Sequence, residues 1–120
     1  EFIKKKAQDV FYDPEVATKE IVDEVFATVN DRVKLVKTLA IAKSAIRHNM
    51  AQDLPSMQTP TCIIWGKDDT VTPPDVAELF DELLPNSDLF WLDKCGHAPM
   101  MEHPDQFNTI LDDWLTKNNF

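Results

Sequence analysis

The chain has 120 residues, of which 12 are Lys or Arg and 21 are Asp or Glu, so its formal charge is −9 at neutral pH. This length suits one domain, and 43% hydrophobic against 28% charged residues predicts a globular chain with a core rather than a disordered one. The surplus of carboxylates repels polyanions, which argues against a nucleic-acid partner or an anionic membrane.

The two cysteines, Cys62 and Cys95, match no metal-ligand spacing, and we expect both to be reduced thiols of a cytoplasmic protein. No run approaches the roughly 20 apolar residues that span a bilayer, and the opening residues lack the apolar run of a signal peptide. Because the sequence lacks an initiator Met and opens as if inside a helix, we expect it to begin within a longer polypeptide.

The first half of the chain predicts helices and no strand. Asp13 followed by Pro14 predicts a helix start, with Asp13 as the N-cap. Asn30-Asp31 interrupts the apolar pattern, so we expect two or three amphipathic helices before residue 50. Their apolar stripes are Val16, Ala17, Ile21, Val25, Phe26 and Val29, and then Leu35, Val36, Leu39, Ala42, Ala45 and Ile46.

The second half predicts a βαβα unit. After two prolines that mark a linker, the β-rich run 61–65 predicts a strand buried on both faces of a parallel sheet. Thr72 is the predicted N-cap of the next helix, residues 88–92 predict the second strand, and His103-Pro104-Asp105 opens the last helix. The two strands should be parallel neighbours. The helix stripes are Val76, Leu79, Phe80, Leu83 and Leu84, and then Phe107, Ile110, Leu111, Trp114 and Leu115.

Two loops of this unit carry titratable side chains. The loop after the first strand contains Asp68 and Asp69, and the loop after the second contains His97. Parallel neighbours lie about 4.8 Å apart and their carboxyl ends share one edge, so an Asp-to-His97 hydrogen bond is expected there. Such a carboxylate fixes the imidazole tautomer and leaves the other ring nitrogen free as a general base.

These residues resemble a known family. The run TPTCIIWGKDDTVTPP (59–74) resembles the seventh strand and acid loop of α/β-hydrolases, and DKCGHAPMMEHPDQF (93–107) is similar to their histidine loop and final helix. The most similar group is the lidded one that includes meta-cleavage-product hydrolases, which split carbon–carbon bonds, and carboxylesterases. The resemblance implies a C-terminal fragment of this α/β fold, with a helical lid over residues 1–53 and core over 54–120.

The resemblance also implies roles for individual residues. Asp69 matches the triad acid, with Asp68 as the alternative, and His97 matches the triad base. Gly66 matches a sharp turn at the strand end, and His103 is interpreted as a capping or packing residue. The lid would shape an apolar pocket, for which the candidate lining residues, all of which could instead pack the lid onto the core, are Phe2, Phe11, Tyr12, Phe26 and Met50.

The family's nucleophile, a serine within G-x-S-x-G, does not occur in this sequence. The serines are Ser44, Ser56 and Ser87, and none has flanking glycines. The resemblance therefore implies part of a serine-dependent hydrolase of small apolar esters or diketones, inactive by itself. The alternative is a non-catalytic interaction domain that uses its lid to bind a partner.

Three further hypotheses concern thiol chemistry, metals and assembly. A Cys95–His97 nucleophile pair is disfavoured because no second group activates the cysteine. A metal site formed by Asp93, Cys95, His97 and His103 is equally disfavoured, so we expect neither a metal nor a cofactor. The resemblance leaves the strand 61–65 with an unpaired edge, which predicts self-association of the isolated segment.

Overall fold

The computed structural model describes residues 1–119, and its first half is helical. It contains α1 (Phe2–Gln8), α2 (Lys19–Asn30) and α3 (Arg32–Arg47), with a 3₁₀ turn at Pro14–Val16. The expectation of two or three helices before residue 50 is confirmed. No helix within residues 1–119 combines the length and apolar character needed to cross a bilayer.

The helix predicted to start at Pro14 starts later. Asp13 does act as a cap, since its Oδ1 accepts the N–H of Glu15 at 2.9 Å, but it caps only the 3₁₀ turn. The backbone leaves the helical region at Ala17, and Thr18 then caps α2. Two capping residues in close succession therefore divide what the sequence pattern suggested was one helix.

The apolar stripe of α3 is exposed. Leu35, Val36 and Leu39 expose 38%, 59% and 51% of their surface, and the side chain of Ile46 lies outside the described residues. The helical period was predicted correctly, and Asp31 caps the helix by accepting the N–H groups of Val33 and Lys34. Burial depends on a covering surface, and α2 is the main element that packs against α3.

The second half forms a small α/β unit. Its elements are β1 (Thr61–Gly66), α4 (Pro74–Leu83), β2 (Ser87–Leu92), α5 (Pro99–Glu102) and α6 (Pro104–Lys117), preceded by 3₁₀ turns at Met50–Gln52 and Leu54–Ser56. The strands are parallel, with Thr61 opposite Ser87 and Gly66 opposite Leu92. The predicted βαβα order is confirmed, and the one-turn helix α5 is an addition to it.

The core of this unit centres on Leu54, Ile63 and Leu84, with Trp65 and Phe80 packed against them. The prediction that β1 is buried on both faces is wrong, because Ile63 and Gly66 are its buried positions and its other residues are only half-buried. Within residues 1–119 the sheet has two strands, so β2 alone pairs with β1.

The last helices pack largely as their patterns predict. In α4, Ala77 is fully buried while Leu79 is 48% exposed, so Leu79 was wrongly assigned to the buried face. In α6, Trp114 is buried, and its indole N–H donates to Asp88 Oδ2 at 2.8 Å, which fastens the helix to β2. Packing from α4 and α6 thus holds the two strands in one unit.

Candidate active site

Asp69 lies in the loop that leaves β1, and its side chain is only 3% exposed. Its Oδ1 accepts the backbone N–H groups of Val71 at 2.8 Å and of Thr72 at 2.9 Å. This is the local bonding by which an aspartate folds the chain after it into a turn. The residues directly after Asp69 therefore fix the position of its Oδ1.

The other carboxylate oxygen faces the second loop. His97 Nδ1 lies 2.8 Å from Asp69 Oδ2, so the hydrogen bond expected between the two loops is present. Thr72 Oγ1 lies 2.9 Å from the same Oδ2 and 3.1 Å from Nδ1. Because a hydroxyl has a single proton, Thr72 donates to the carboxylate and accepts from the imidazole N–H.

The environment of Asp69 favours its charged form. Burial by itself raises the pKa of this carboxyl, but the hydrogen bonds from His97, from the backbone of Thr72 and Val71 and from the Thr72 hydroxyl outweigh it. The net effect is a pKa below the ordinary value of 3.8. A carboxylate that accepts four hydrogen bonds is thus available to stabilise a positive charge on the imidazole.

The same contact determines which nitrogen of His97 is reactive. Nδ1 faces a carboxylate and must carry the proton, so the lone pair of the neutral ring is on Nε2. The side chain is 41% exposed, and among residues 1–119 no hydrogen bond occupies Nε2. The geometry therefore provides an oriented imidazole with an accessible basic nitrogen.

A shallow depression of about 120 Å³ adjoins this pair. Asp69, Thr72 and His97 form its polar part, and its apolar walls are formed by Ile64, Trp65, Pro99 and Met100. None of the five candidate lid residues is among the described residues that line it. The apolar walls of this depression come from the second half of the chain, and the apolar pocket expected from the lid stays a prediction.

The two loops touch through Gly66. A Cβ on Gly66 would lie 2.1 Å from the carbonyl oxygen of Gly96 and 2.3 Å from that of Cys95, and both are backbone atoms. Within residues 1–119 no glycine has a positive φ, so Gly66 does not serve the sharp turn that was expected of it. A glycine is needed at this position because a Cβ would collide with the backbone of the histidine loop. Any side chain here would push the histidine loop away from Asp69.

Asp68 does not compete with Asp69 for the imidazole. It is exposed, and its backbone N–H donates to the carbonyl of Cys95 at 2.9 Å. Of the two adjacent aspartates, the structure brings Asp69 to His97, and Asp68 supplies a backbone link between the loops.

The groups behind the thiol and metal hypotheses have other partners. Cys95 is fully buried, and burial, followed by the neighbouring Glu102, raises its pKa to about 12, so the thiol stays protonated. Asp93 pairs with Lys67 at 2.7 Å, and His103 Nε2 donates to the carbonyl of Lys94 at 2.9 Å. Within residues 1–119 no three His, Cys, Asp or Glu side chains are grouped to hold a metal ion.

His103 and Thr72 both depart from the sequence interpretation. His103 occupies the N-cap position of α6 but its side chain makes no cap, and its ring bonds the histidine loop, so the capping interpretation is corrected and the packing interpretation stays a prediction. Thr72 is not the N-cap of α4 either, since Pro73 occupies that position and the Thr72 hydroxyl is directed to Asp69 and His97. The available signal was a hydroxyl three residues after an aspartate, which is as typical of a turn as of a helix start.

Comparison with known proteins identifies the family. Residues 12–104 match a family model described as the alpha/beta hydrolase fold. The chain belongs to the α/β-hydrolase family. Its parallel pair of strands and surrounding helices form part of that fold.

Three similar proteins show the range of the family. An α/β-hydrolase of known structure from a sediment metagenome of the Mar Chica lagoon is 72% identical, with a TM-score of 0.76, over 85% of this chain and 47% of that one. A 2-hydroxy-6-oxononadienedioate/2-hydroxy-6-oxononatrienedioate hydrolase from Pseudomonas sp. is 32% identical over 94% of this chain and 41% of its own length. A bovine monoacylglycerol lipase is 34% identical over 64% of this chain and 23% of its own. The α/β-hydrolase chain therefore spans less than half the length of each of these proteins.

Proposed function

We propose that this chain is the C-terminal portion of a serine-dependent α/β-hydrolase, to which it contributes a lid segment (1–53), a core segment (54–120), the triad acid Asp69 and the triad base His97. The observation that carries the proposal is the 2.8 Å contact between Asp69 Oδ2 and His97 Nδ1 at the shared edge of β1 and β2. The acid therefore binds one imidazole nitrogen and leaves the other accessible, as a triad requires.

In the proposed mechanism, Nε2 of His97 accepts the proton of a serine hydroxyl as that oxygen attacks a substrate carbonyl. Asp69 holds the imidazole in the reactive tautomer and stabilises the imidazolium. His97 then returns the proton to the leaving group, and water completes the cycle in a second, equivalent step. Asp69 and His97 act in it by orientation and proton transfer, the serine acts as the nucleophile, and none of these steps calls for a metal or cofactor.

The nucleophile of this mechanism belongs to residues outside these 120. Ser56 Oγ donates to the carbonyl of Asp53 at 2.7 Å, and Ser87 Oγ donates to Asp81 Oδ1 at 2.7 Å, so both hydroxyls have structural partners away from His97. Ser44 is exposed on α3. The 120-residue chain should accordingly be inactive by itself.

The proposed substrates are small apolar molecules with an ester or diketone carbonyl. The Pseudomonas relative is named for a 6-oxo dicarboxylate and the bovine relative for a monoacylglycerol, and both compounds carry a carbonyl that a serine can attack. The depression beside His97 is largely apolar, but at about 120 Å³ it is smaller than the ~300 Å³ of ordinary ligand pockets. The proposal therefore requires further pocket walls from the rest of the protein.

The exposed stripe of α3 favours the alternative function, a non-catalytic interaction domain. Apolar side chains such as Val36 and Leu39 are more than half exposed there, as they are on a surface that binds a partner. The upstream coding sequence separates the two functions. An in-frame G-x-S-x-G supports the hydrolase, and a start codon directly before residue 1 supports the interaction domain.

The direct test compares the two adjacent aspartates in the full-length protein. Asp69→Asn should lower kcat for ester or diketone hydrolysis by about 10³- to 10⁴-fold, because the imidazole loses its orienting carboxylate. Asp68→Asn should change kcat by less than about 3-fold, since its side chain is exposed. Equal effects of the two substitutions would contradict the assignment of Asp69.

We also propose that the isolated segment self-associates. Within residues 1–119, β2 pairs with one edge of β1 and no strand covers the other, and such edges recruit further strands. Light scattering of the 120-residue chain should show a mass that rises with concentration. A monodisperse monomer at high concentration would contradict this expectation.

A further inference from the structure

Glu102, the last residue of α5, joins two distant parts of the backbone. Its Oε1 accepts the N–H of Gly96 at 2.8 Å, and its Oε2 accepts the N–H of Tyr12 at 2.7 Å. Tyr12 lies 90 residues before Glu102 in the chain, while Gly96 directly precedes His97. A single carboxylate therefore ties the histidine loop to the segment that follows α1.

That segment, residues 9–12, is here named the crossing segment because it contacts both loops of the site. The backbone N–H of His97 donates to the carbonyl of Val10 at 2.8 Å. On the acid loop, the Thr70 hydroxyl donates to the carbonyl of Asp9 at 3.4 Å. The crossing segment thus bonds directly to the backbone of His97 and to the residue after Asp69.

The fit around Gly96 shows how closely the crossing segment approaches. A Cβ on Gly96 would lie 2.7 Å from the carbonyl oxygen of Val10 and 2.8 Å from the backbone nitrogen of Tyr12. Both neighbours are backbone atoms, so they cannot move aside as a flexible side chain would. The contact requires a glycine before His97 and an acceptor for the Tyr12 N–H, which Glu102 provides.

We propose, building on the assignment of His97 as the base, that Glu102 is a positioning residue. By accepting the N–H groups of Gly96 and Tyr12 together, it holds the histidine loop against the crossing segment and thereby sets where the imidazole lies relative to Asp69. Movement of the crossing segment is then transmitted to His97 through Glu102 and Val10.

The chemistry of a carboxylate suits this role better than that of an amide. Glutamate offers an acceptor oxygen to each N–H, whereas glutamine offers one oxygen and one NH₂ group, which is itself a donor. Glu102→Gln must therefore lose one of the two bonds and place two donors against each other. Aspartate keeps both oxygens but is one methylene shorter, so Glu102→Asp should retain part of the effect.

The first experiment uses the 120-residue chain and needs no activity. Amide hydrogen exchange of Gly96 and Tyr12 should be at least about 10-fold faster in Glu102→Gln than in the unmodified chain, with a smaller change in Glu102→Asp. Proton NMR should also show a displaced or broadened His97 Nδ1–H resonance. Glu78→Gln is the matched control, since Glu78 is exposed on α4, and it should change neither measurement.

The second experiment uses the full-length protein. Glu102→Gln should lower kcat by about 10- to 100-fold while KM changes by less than about 3-fold, because the base is displaced and the apolar walls are retained. Unchanged kcat together with an unchanged His97 resonance would overturn the role of Glu102. If Glu102→Gln does not fold, Glu102→Asp decides by the same criteria.

The two experiments also separate this proposal from the proposed function. If the full-length protein hydrolyses no ester or diketone, or if His97→Ala leaves hydrolysis intact, the assignment of the base fails. The exchange rates and the imidazole resonance of the 120-residue chain still test whether Glu102 holds His97 in place.

Discussion

Residues 1–53 and 54–119 contain similar helical patterns but use them differently. In the first region, α3 forms where its periodicity predicts, yet its apolar stripe is exposed. In the second, α4 and α6 bury one face against a two-stranded sheet whose core centres on Leu54, Ile63 and Leu84. Periodicity determines whether a helix forms, whereas burial depends on the surface available to cover it.

Each region contains a histidine bonded to an aspartate, and substitution of the two histidines tests the difference between the regions most strongly. His97 bonds the buried Asp69 at 2.8 Å, whereas His48 bonds Asp53 at 2.7 Å with both side chains largely exposed. In the full-length protein, His97→Ala should lower kcat by about 10³-fold or more with little loss of folding, because the proton acceptor is removed. Ester or diketone hydrolysis assays check this.

His48→Ala is the control for that substitution. It removes a similar His–Asp contact from the first region, and kcat should stay within about 3-fold of the unmodified value. Hydrolysis at unmodified rates by His97→Ala would contradict the account, as would an equal loss in both variants.

Two leucines extend the comparison to stability. Leu54 is 5% exposed in the core, whereas Leu39 is 51% exposed on α3. Leu54→Ala should lower the free energy of unfolding by about 2–4 kcal/mol through lost burial and a cavity. Leu39→Ala should change it by less than about 0.5 kcal/mol. Urea denaturation of the 120-residue chain measures both changes. Similar losses in the free energy of unfolding would show that the apolar stripe of α3 is buried in the folded chain.

Acid should weaken the second region through Asp69. The pKa of this carboxyl is below 3.8 in the folded chain, so its ionised form stabilises the fold above about pH 4. That stability is lost as the pH falls through the lowered pKa. Between pH 6 and 2, Asp69→Asn should lose less stability than the unmodified chain. An unaltered pH dependence in Asp69→Asn would be the contrary result.

The smallest effect concerns the two free thiols. Burial raises the pKa of both, but Cys95 is fully buried with a pKa of about 12, whereas Cys62 is half-buried in β1. At pH 8 a thiol reagent should modify Cys62 first, and Cys95 only after the chain unfolds. Mass spectrometry of the modified peptides checks the order, and equal rates would count against the packing of the histidine loop.

Much of the second region could be predicted because its signals are local. A β-rich run and a proline at a helix start act within a few residues, and strand order then places both loops at one edge. A pair between an aspartate and His97 follows from that topology, and the resemblance to the family favours Asp69 over Asp68. The predicted start of α2 is wrong because Asp13 and Thr18 both act as N-caps. The neighbouring residues do not show which of the two precedes the longer helix.

The contacts of the crossing segment could not be predicted in the same way. Tyr12 and Glu102 are 90 residues apart, and nothing near either residue marks it as the partner of the other. The glycine beside His97 is consistent with a close approach of another backbone segment to Gly96. The sequence does not indicate that this segment contains Val10 and Tyr12. Such contacts depend on how the first region folds back onto the second.

The most direct test of the central claim is proton NMR of the His97 imidazole in the chain, with and without Asp69. The account predicts a low-field Nδ1–H resonance that exchanges slowly, persists in Asp68→Asn and is lost or moved upfield in Asp69→Asn. A His97 ring protonated on Nε2 when neutral, or an Nδ1–H resonance unchanged in Asp69→Asn, would contradict it.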